Sequence, residues 1–463
     1  HSCVHLCVCC VCECLCLCID CGSYMEQSVI FFFLFYRHHP GLPFFPAPRS
    51  SQLIGNPFVN KVFFLTFSIS CTSPNVYTNQ IISDLTFLSS DDLEGRATGS
   101  EGERIAASYI SKRFKDMNIE AKGLNDYLHP FSFKPKSHPH EEIKFNDSLN
   151  SNGITGNNVI GFINNKSSNT VVIGAHYDHL GFGDQGSLYR GSDVKIHNGA
   201  DDNASGVSLM LELAAKLTDE NKNNNYLFIA FSGEEMGLLG SNFFVKNPTI
   251  DISSINYMIN MDMVGRLNDE KSLAIYGLGT SPIFKQTIKS NNDIFKIIEN
   301  ESGIGPSDHT SFYLQDIPVL HFFTGQHENY HKPSDDSDLI NYDGLDLISN
   351  YIFSIISDLD DNGKLKFRKT KNESQESPRF KVSLGVIPDY LYDGKGMRID
   401  GISSGRPAEK AGFLKGDVIT KLGESKIEDM MSYMKALSKL KSGDLVKVEY
   451  KRDNKISSKN VTF

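Results

Sequence analysis

The sequence predicts an α/β fold: a central mixed, mostly parallel sheet sandwiched by helices, followed by a small β-rich block. Three observations predict it. Four apolar, partly β-branched runs at 170–175, 226–231, 255–261 and 317–323 have the length of buried strands. Helical patterns lie between them, with an apolar face over 206–217 and a further helix expected from about Glu235; strands that alternate with helices need both faces of a parallel sheet covered. Finally, a polar stretch at 360–378, rich in Lys, Asn, Ser and Glu, separates this region from a Gly-punctuated block of short strand candidates at 380–463.

Taken in chain order, the first element is compositional. Of the ten cysteines, nine lie in the first 21 residues (Cys3, Cys7, Cys9, Cys10, Cys12, Cys14, Cys16, Cys18 and Cys21) and the tenth is Cys71. Zinc sites use spaced pairs, whereas this is a dense alternation of Cys with Val and Leu. Residues 1–57 therefore read as low-complexity sequence, non-native or disordered, in preference to a thiolate cluster. Residues 72–463 contain no Cys, which excludes a disulfide-stapled fold for most of the chain. Within 58–71, Lys61 precedes an apolar run to Phe67 and then Ser68-Ile69-Ser70-Cys71. That pattern resembles a secretory signal and, with Cys after Ser70, a bacterial lipoprotein signal; a buried strand is an equal alternative. The signal reading implies a natural start near residue 58, export to the cell envelope, periplasm or exterior, and membrane attachment through a lipidated Cys71.

Helix patterning follows over 78–118, where Ile105, Tyr109 and Ile110 recur at helical spacing and Ser100 with Glu103 matches a capping box. The main domain is expected over 72–358, a linker over 359–379 and the last domain over 380–463. The charge balance of 46 Lys and Arg against 56 Asp and Glu, a net −10, argues against a nucleic-acid partner. No run reaches 18 apolar residues, so no conventional spanning helix is expected.

Five segments bring metal-type ligands to the ends of expected strands: Gly174-Ala175-His176-Tyr177-Asp178-His179-Leu180, Asn198-Gly199-Ala200-Asp201-Asp202-Asn203-Ala204-Ser205-Gly206, Phe231-Ser232-Gly233-Glu234-Glu235-Met236-Gly237, Asn260-Met261-Asp262-Met263-Val264-Gly265-Arg266 and Tyr330-His331-Lys332-Pro333-Ser334-Asp335-Asp336. Charges directly after apolar strands are costly to bury unless paired or metal-bound, and ligands of open α/β sheets collect at the carboxyl ends of strands. His, Asp and Glu without Cys suit a catalytic zinc site, and two zinc ions can clamp water and substrate oxygen together. Taken singly, each segment has an ordinary structural explanation. His176 could be a core histidine, Asp201-Asp202 a helix N-cap, Glu234-Glu235 first-turn carboxylates, Asp262 a strand-end residue and His331 a loop residue. Together they require five coincidences.

In this order and context the five segments resemble the family of co-catalytic di-zinc aminopeptidases, which includes secreted bacterial leucyl aminopeptidases. The stretch from Leu88 to Arg96 and the sequence Gly99-Ser100-Glu101-Gly102 resemble that family's N-terminal helix region, and the likeness covers roughly 78–358. The resemblance implies the zinc exopeptidase fold, two zinc ions per chain and peptide substrates. It implies that His176, Asp202 and Asp262 hold one ion, and that Asp202, Glu235 and His331 hold the other. Asp202 takes the bridging place because the family's bridging Asp stands four residues before the Gly of a Ser-Gly pair, here Gly206. Glu234 is then the general base, and Asp178 accepts a hydrogen bond from His176. Ser307, Asp308, His309 and Tyr330 are expected at the substrate. Phe322 and Phe323 read equally as pocket wall or core. His179 and His197 match no ligand position and read as surface residues or supports behind the ligands.

Within 380–463, Ser383-Leu384-Gly385-Val386, the run from Pro407 to Gly412 and Lys415-Gly416-Asp417-Val418-Ile419 resemble a PDZ domain of the kind attached to bacterial proteases. Capture of a C-terminal peptide and a purely structural docking role are equally open for it. Two other readings of the whole chain are a glutaminyl cyclase-like acyltransferase and a catalytically inactive peptide-binding protein. Retention of all five ligand positions favours the exopeptidase.

Overall fold

The computed structural model describes residues 6–10, 13–17, 76–134, 144–146, 153–370, 382–389, 391–392, 394–402 and 405–463. In the first unit, β1 (Leu6–Cys10) pairs antiparallel with β2 (Glu13–Leu17). The rest of 1–57 and the whole signal-like segment with Cys71 lie outside the described residues.

The second unit begins with the α/β body. Its sheet has nine strands: β3 (Glu120–Ala121), β4 (Leu128–Phe133), β5 (Ile154–Ile163), β6 (Thr170–His176), β7 (Asn225–Phe231), β8 (Ile255–Met261), β9 (Ser272–Tyr276), β10 (Lys296–Glu299) and β11 (Val319–Phe323). Their order is β10-β9-β11-β8-β6-β7-β5-β3, with β4 also on β5. The central four, β11, β8, β6 and β7, are mutually parallel. The outer strands add antiparallel pairings at β9 with β11 and at β5 with β7, β3 and β4.

Every residue of β6, β7 and β8 is buried, which is why these strands read as continuous apolar runs. Strand alternation then divides the side chains between two cores. Val171, Ile173 and Ala175 face a core built with α1 (Val76–Leu88), α2 (Glu101–Asp116), α3 (Gly206–Leu217), α5 (Phe284–Ser290) and α7 (Tyr342–Asp360). Val172 faces the other core, with Phe244 of α4 (Leu239–Lys246) and Phe312 of α6 (His309–Tyr313). No helix among the described residues is long and apolar enough to cross a membrane.

Three local expectations change. The helix expected from about Glu235 begins at Leu239, because Gly237 (φ 109°) and Leu238 (φ 58°) take the chain out of helical geometry. Glu234 and Glu235 therefore sit in a turn and not in a first helical turn. The capping box is half formed: Ser100 Oγ accepts from the Glu103 amide, but the Glu103 carboxylate accepts from the Gly99 amide. The start of the expected linker packs on the α/β body, with Leu365 in its core, the Arg368 amide donating to Thr280 O and the Tyr313 hydroxyl beside Thr370. Residues 371–381 lie outside the described residues.

The C-terminal block folds around its own core, which includes Leu384, Ile399, Phe413, Ile419, Tyr433 and Val448. Its strands are β12 (Val386–Pro388), β13 (Met397–Ile402), β14 (Val418–Leu422), β15 (Ser425–Lys426), β16 (Leu445–Arg452) and β17 (Lys455–Thr462), in the order β12-β13-β14-β16-β17 with β15 on β14. Helices α8 (Pro407–Ala411) and α9 (Met430–Leu437) complete it, and β12 is an edge strand.

Phe228 of β7 is fully buried, with its ring 6.1 Å from that of Phe114 on α2. Phe228→Ala should lower the unfolding free energy by about 3–5 kcal/mol, seen as a fall in the urea midpoint followed by circular dichroism.

Candidate metal centre

The parallel strands deliver the site. β6 ends on His176, β8 is followed at once by Asp262, and three residues separate the end of β7 from Glu235. Asp202 stands in the turn before α3, and His331 in the loop after β11. All five therefore gather at the carboxyl ends of the central parallel strands.

Asp202 lies between two clusters. Its Oδ1 is 3.3 Å from His176 Nε2, which is also 3.3 Å from Asp262 Oδ1. Its Oδ2 is 3.2 Å from His331 Nε2, which is also 3.2 Å from Glu235 Oε2. A metal held tetrahedrally at about 2.0–2.1 Å separates its ligand atoms by about 3.3 Å, so both clusters have the spacing of a cation cage.

The ring orientations agree. Nδ1 of His176 faces the Asp178 carbonyl oxygen at 3.2 Å, and Nδ1 of His331 faces that of Gly186 at 3.0 Å. A carbonyl only accepts, so each Nδ1 carries a hydrogen and each Nε2 is left for the carboxylates. A neutral ring there aims its lone pair at carboxylate oxygens, an arrangement that a shared cation satisfies. His331 also takes a left-handed backbone (φ 54°), a strained choice for a non-glycine residue.

Without metal, protons supply the positive charge. Burial disfavours a charged His331, but Glu235 and Asp202 outweigh it and push the ring up to about 11. Burial likewise opposes a charged His176, and Asp262 and Glu234 hold it well above the usual imidazole range. Glu235, which burial alone would raise, is drawn down to about 2, chiefly by His331 and His179 against the charge of Asp202. Burial would raise Asp202 also, yet His176 and His331 keep it well below the carboxylate range. Glu234 goes the other way: burial, reinforced by Asp262, Glu235 and Asp308, lifts it well above that range, with only His176 opposing.

The structure brings the remaining expected residues together unevenly. The Asp178 carboxylate is 3.7 Å from His176 Nδ1, beyond the nearer backbone contact. It accepts instead from the Glu234 amide at 3.1 Å and the Thr98 hydroxyl at 3.0 Å, and so ties the His176 turn to the Glu234 turn. Tyr330 lines the cavity and stacks on His331 at 3.8 Å. Ser307, Asp308 and His309 are fully buried, and the residue of that loop on the cavity wall is Pro306. Phe323 lines the cavity while Phe322, on the opposite strand face, is core. His179 and His197 are buried and not surface residues. His179 Nδ1 is 2.7 Å from Glu235 Oε1 but 3.9 Å from Asp202, a hydrogen bond to one carboxylate more than a place in the cage.

Several supports lie inside the singled-out stretches without having been assigned a role from sequence. Asp335 Oδ2 accepts from the amides of Asp201 and Asp202 at 3.0 and 3.1 Å. Burial, helped by Asp201, raises Asp335 to about 6. Asn203 Oδ1 accepts from the Met263 and Gly206 amides, and its Nδ2 donates to Met261 O. Arg96 is buried and donates to the carbonyls of Leu88, Tyr177, Asn198 and Gly199, which joins three of the turns beneath the site. Burial lowers its guanidinium to about 10 against the pull of Asp178, Asp202, Asp335 and Glu235. Gly199 (φ 55°) must be glycine for two reasons: its backbone is left-handed, and a Cβ would lie 2.1 Å from Asp202 O and 2.5 Å from the His179 ring.

Above the ligands lies a cavity of about 180 Å³. Asp202, Glu234, Glu235, Asp262 and His331 form its charged part. Met263, Tyr276, Pro306, His321, Phe323, Gln326 and Tyr330 form the rest. This is below the roughly 300 Å³ typical of sites that engulf drug-sized ligands, and it suits one residue of a longer substrate.

Residues 158–356 match the family described as peptidase family M28, and residues 367–463 match the PDZ domain. A probable leucine aminopeptidase of Trichophyton verrucosum is 34% identical over 176 residues, 35% of this chain and 44% of that protein. Aminopeptidase YwaD of Bacillus subtilis is 30% identical over 223 residues, 44% of this chain and 45% of that protein. The chain thus spans less than half the length of either relative. Among solved structures, a Zn-dependent exopeptidase from Parabacteroides distasonis superposes with a TM-score of 0.49 at 17% identity, covering 61% of this chain and 99% of that one.

Because His331 in the metal-free protein holds its proton up to about 11, zinc must displace it. Adding zinc to chelator-treated protein at about pH 7 should release protons, and apparent affinity should climb from about pH 6 to about pH 8. Calorimetry in buffers of different ionisation enthalpy measures both, and an affinity flat across that range would contradict the cage.

Proposed function

With residues 158–356 belonging to peptidase family M28 and residues 367–463 forming a PDZ domain, we propose that the protein is a di-zinc exopeptidase, an aminopeptidase that removes N-terminal residues from peptides. The observation that carries the reading is the division of Asp202 between two clusters, one oxygen toward His176 and Asp262 and the other toward His331 and Glu235. The donor set, imidazole and carboxylate without thiolate, fits zinc at both. Bound zinc supplies Lewis-acid activation of water and of the scissile carbonyl.

The chain's own groups do the rest. Glu234 lies on the cavity wall, and no imidazole or guanidinium forms an ion pair with it among the described residues. Its carboxylate takes the proton of the attacking water and passes it to the leaving amine. Burial, reinforced by Asp262 and Glu235, raises its proton affinity above the usual carboxylate range, the direction a general base needs. Asp178 fixes the base by accepting from the Glu234 amide. His179 orients Glu235, and Tyr330 covers His331. The small cavity admits a single first side chain, which favours exopeptidase over endopeptidase action. The edge of β12, unpaired among the described residues, offers the PDZ domain a place to add an extended peptide strand.

Glu234→Gln should cut kcat by about 10²–10⁴-fold while metal analysis still finds two zinc ions per chain; a retained rate would remove Glu234 from the proton path. Asp202→Ala removes a ligand common to both clusters, so it should lower zinc content at both sites, whereas Asp262→Ala should spare one ion. Equal losses in the two variants, read by plasma emission after gel filtration, would contradict a bridging Asp202.

A further inference from the structure

The cavity contains one imidazole that neither the cage nor the proton path uses. His321 sits in β11, in register with Asn260 of β8 and Tyr276 of β9. Strand alternation puts it on the same face as Phe323, and both line the cavity. Its ring is held in a row of rings. The parallel face of His309 lies 4.5 Å away with an interplanar angle of 5°, Tyr276 is at 5.5 Å, and Phe323 is at 6.2 Å. Nδ1 is taken by Asn260 Nδ2 at 3.1 Å, and that amide is itself fixed by its bond to Ser307 Oγ at 2.8 Å. The nitrogen left for the cavity is Nε2, for which no hydrogen-bond partner is found among the described residues. Burial holds the ring near pKa 4, so it is uncharged at neutral pH.

Because Nδ1 accepts from the Asn260 amide nitrogen, Nε2 of the neutral ring carries the hydrogen and donates, and the oxygen of a side-chain amide or hydroxyl can accept from it. The neighbouring wall is apolar, with Met263, Pro306 and Phe323, and would pack the stem of an entering side chain. A hydrocarbon tip of the same size would shut Nε2 away from water without a partner, which is the costly case. A carboxylate tip would enter a cavity that already holds Glu234 and Asp262. We propose that His321 is a specificity-determining residue that makes the cavity prefer an N-terminal residue ending in an uncharged amide or hydroxyl over an apolar residue of equal size. The inference rests on the exopeptidase reading above.

The test compares the para-nitroanilides of asparagine and leucine, whose side chains are nearly isosteric, on the zinc-loaded full chain. The expected result is a kcat/KM ratio favouring asparagine by about tenfold or more, the discrimination that an unpaired buried nitrogen imposes. His321→Phe should lower that ratio until leucine leads. His321→Gln, which keeps a donor and an acceptor at the position, should hold the asparagine preference. A wild-type preference for leucine, or the same ratio in wild type and His321→Phe, overturns the specificity role and leaves the exopeptidase standing. Zinc-loaded protein that hydrolyses no aminoacyl anilide overturns the exopeptidase reading, and the specificity role falls with it.

Discussion

Asp202 faces His176 with one carboxylate oxygen and His331 with the other, and the rest of the site is arranged so that it can do so. Its backbone amide is pinned by Asp335, and Gly199 allows the chain to pass close behind it. A carboxylate buried this deeply costs several kcal/mol unless its charge is answered. Here four more carboxylates, Asp178, Glu234, Glu235 and Asp262, crowd the same edge of the sheet. In the metal-free protein the answer comes from the His176 and His331 imidazoles, whose protons a bound cation would replace. Metal affinity, protonation and the geometry of the turns are therefore one coupled property.

The fold makes that concentration of charge affordable to build. Parallel strands buried on both faces end in the same plane, so each can deliver a side chain to one place from a rigid base. Arg96 stands beneath them and satisfies backbone carbonyls from the α1 end, the β6 turn and the turn before Asp202. It is a fixed positive charge that cannot be displaced by zinc, and it offsets part of the acidic edge without entering the cage. The C-terminal block has its own hydrophobic core, and none of its described residues is among the five that cluster around Asp202.

Legibility in the sequence followed from how local each signal was. The strands β6, β7 and β8 could be read because burial on both faces demands apolar residues throughout, and α3 because its apolar face repeats at helical spacing. The turn from Glu235 to Leu238 reads as helix in the sequence. Glu234 and Glu235 look like first-turn carboxylates, and nothing local shows that Leu238 adopts a left-handed backbone. His179 reads as a surface residue or a support behind the ligands, and its bond to Glu235, 56 positions later in the chain, decides for the second. His321 carried a readable hint, a histidine inside an otherwise apolar strand, but its role depends on Asn260 and His309 from other elements.

The sequence by itself determined the chemical inventory: an acidic chain whose bulk has no thiol, apolar strands that end in His, Asp and Glu, and a separate Gly-punctuated C-terminal module. These are properties of composition and short-range pattern, and they need no knowledge of what meets what. Only the tertiary structure decided which oxygen of Asp202 faces which imidazole. It also placed Asp178 on the Glu234 amide more than on His176, and buried Ser307, Asp308 and His309 behind the wall they were expected to form. Those outcomes depend on contacts between residues tens to hundreds of positions apart, where packing and burial, not local pattern, set each side chain's direction and charge.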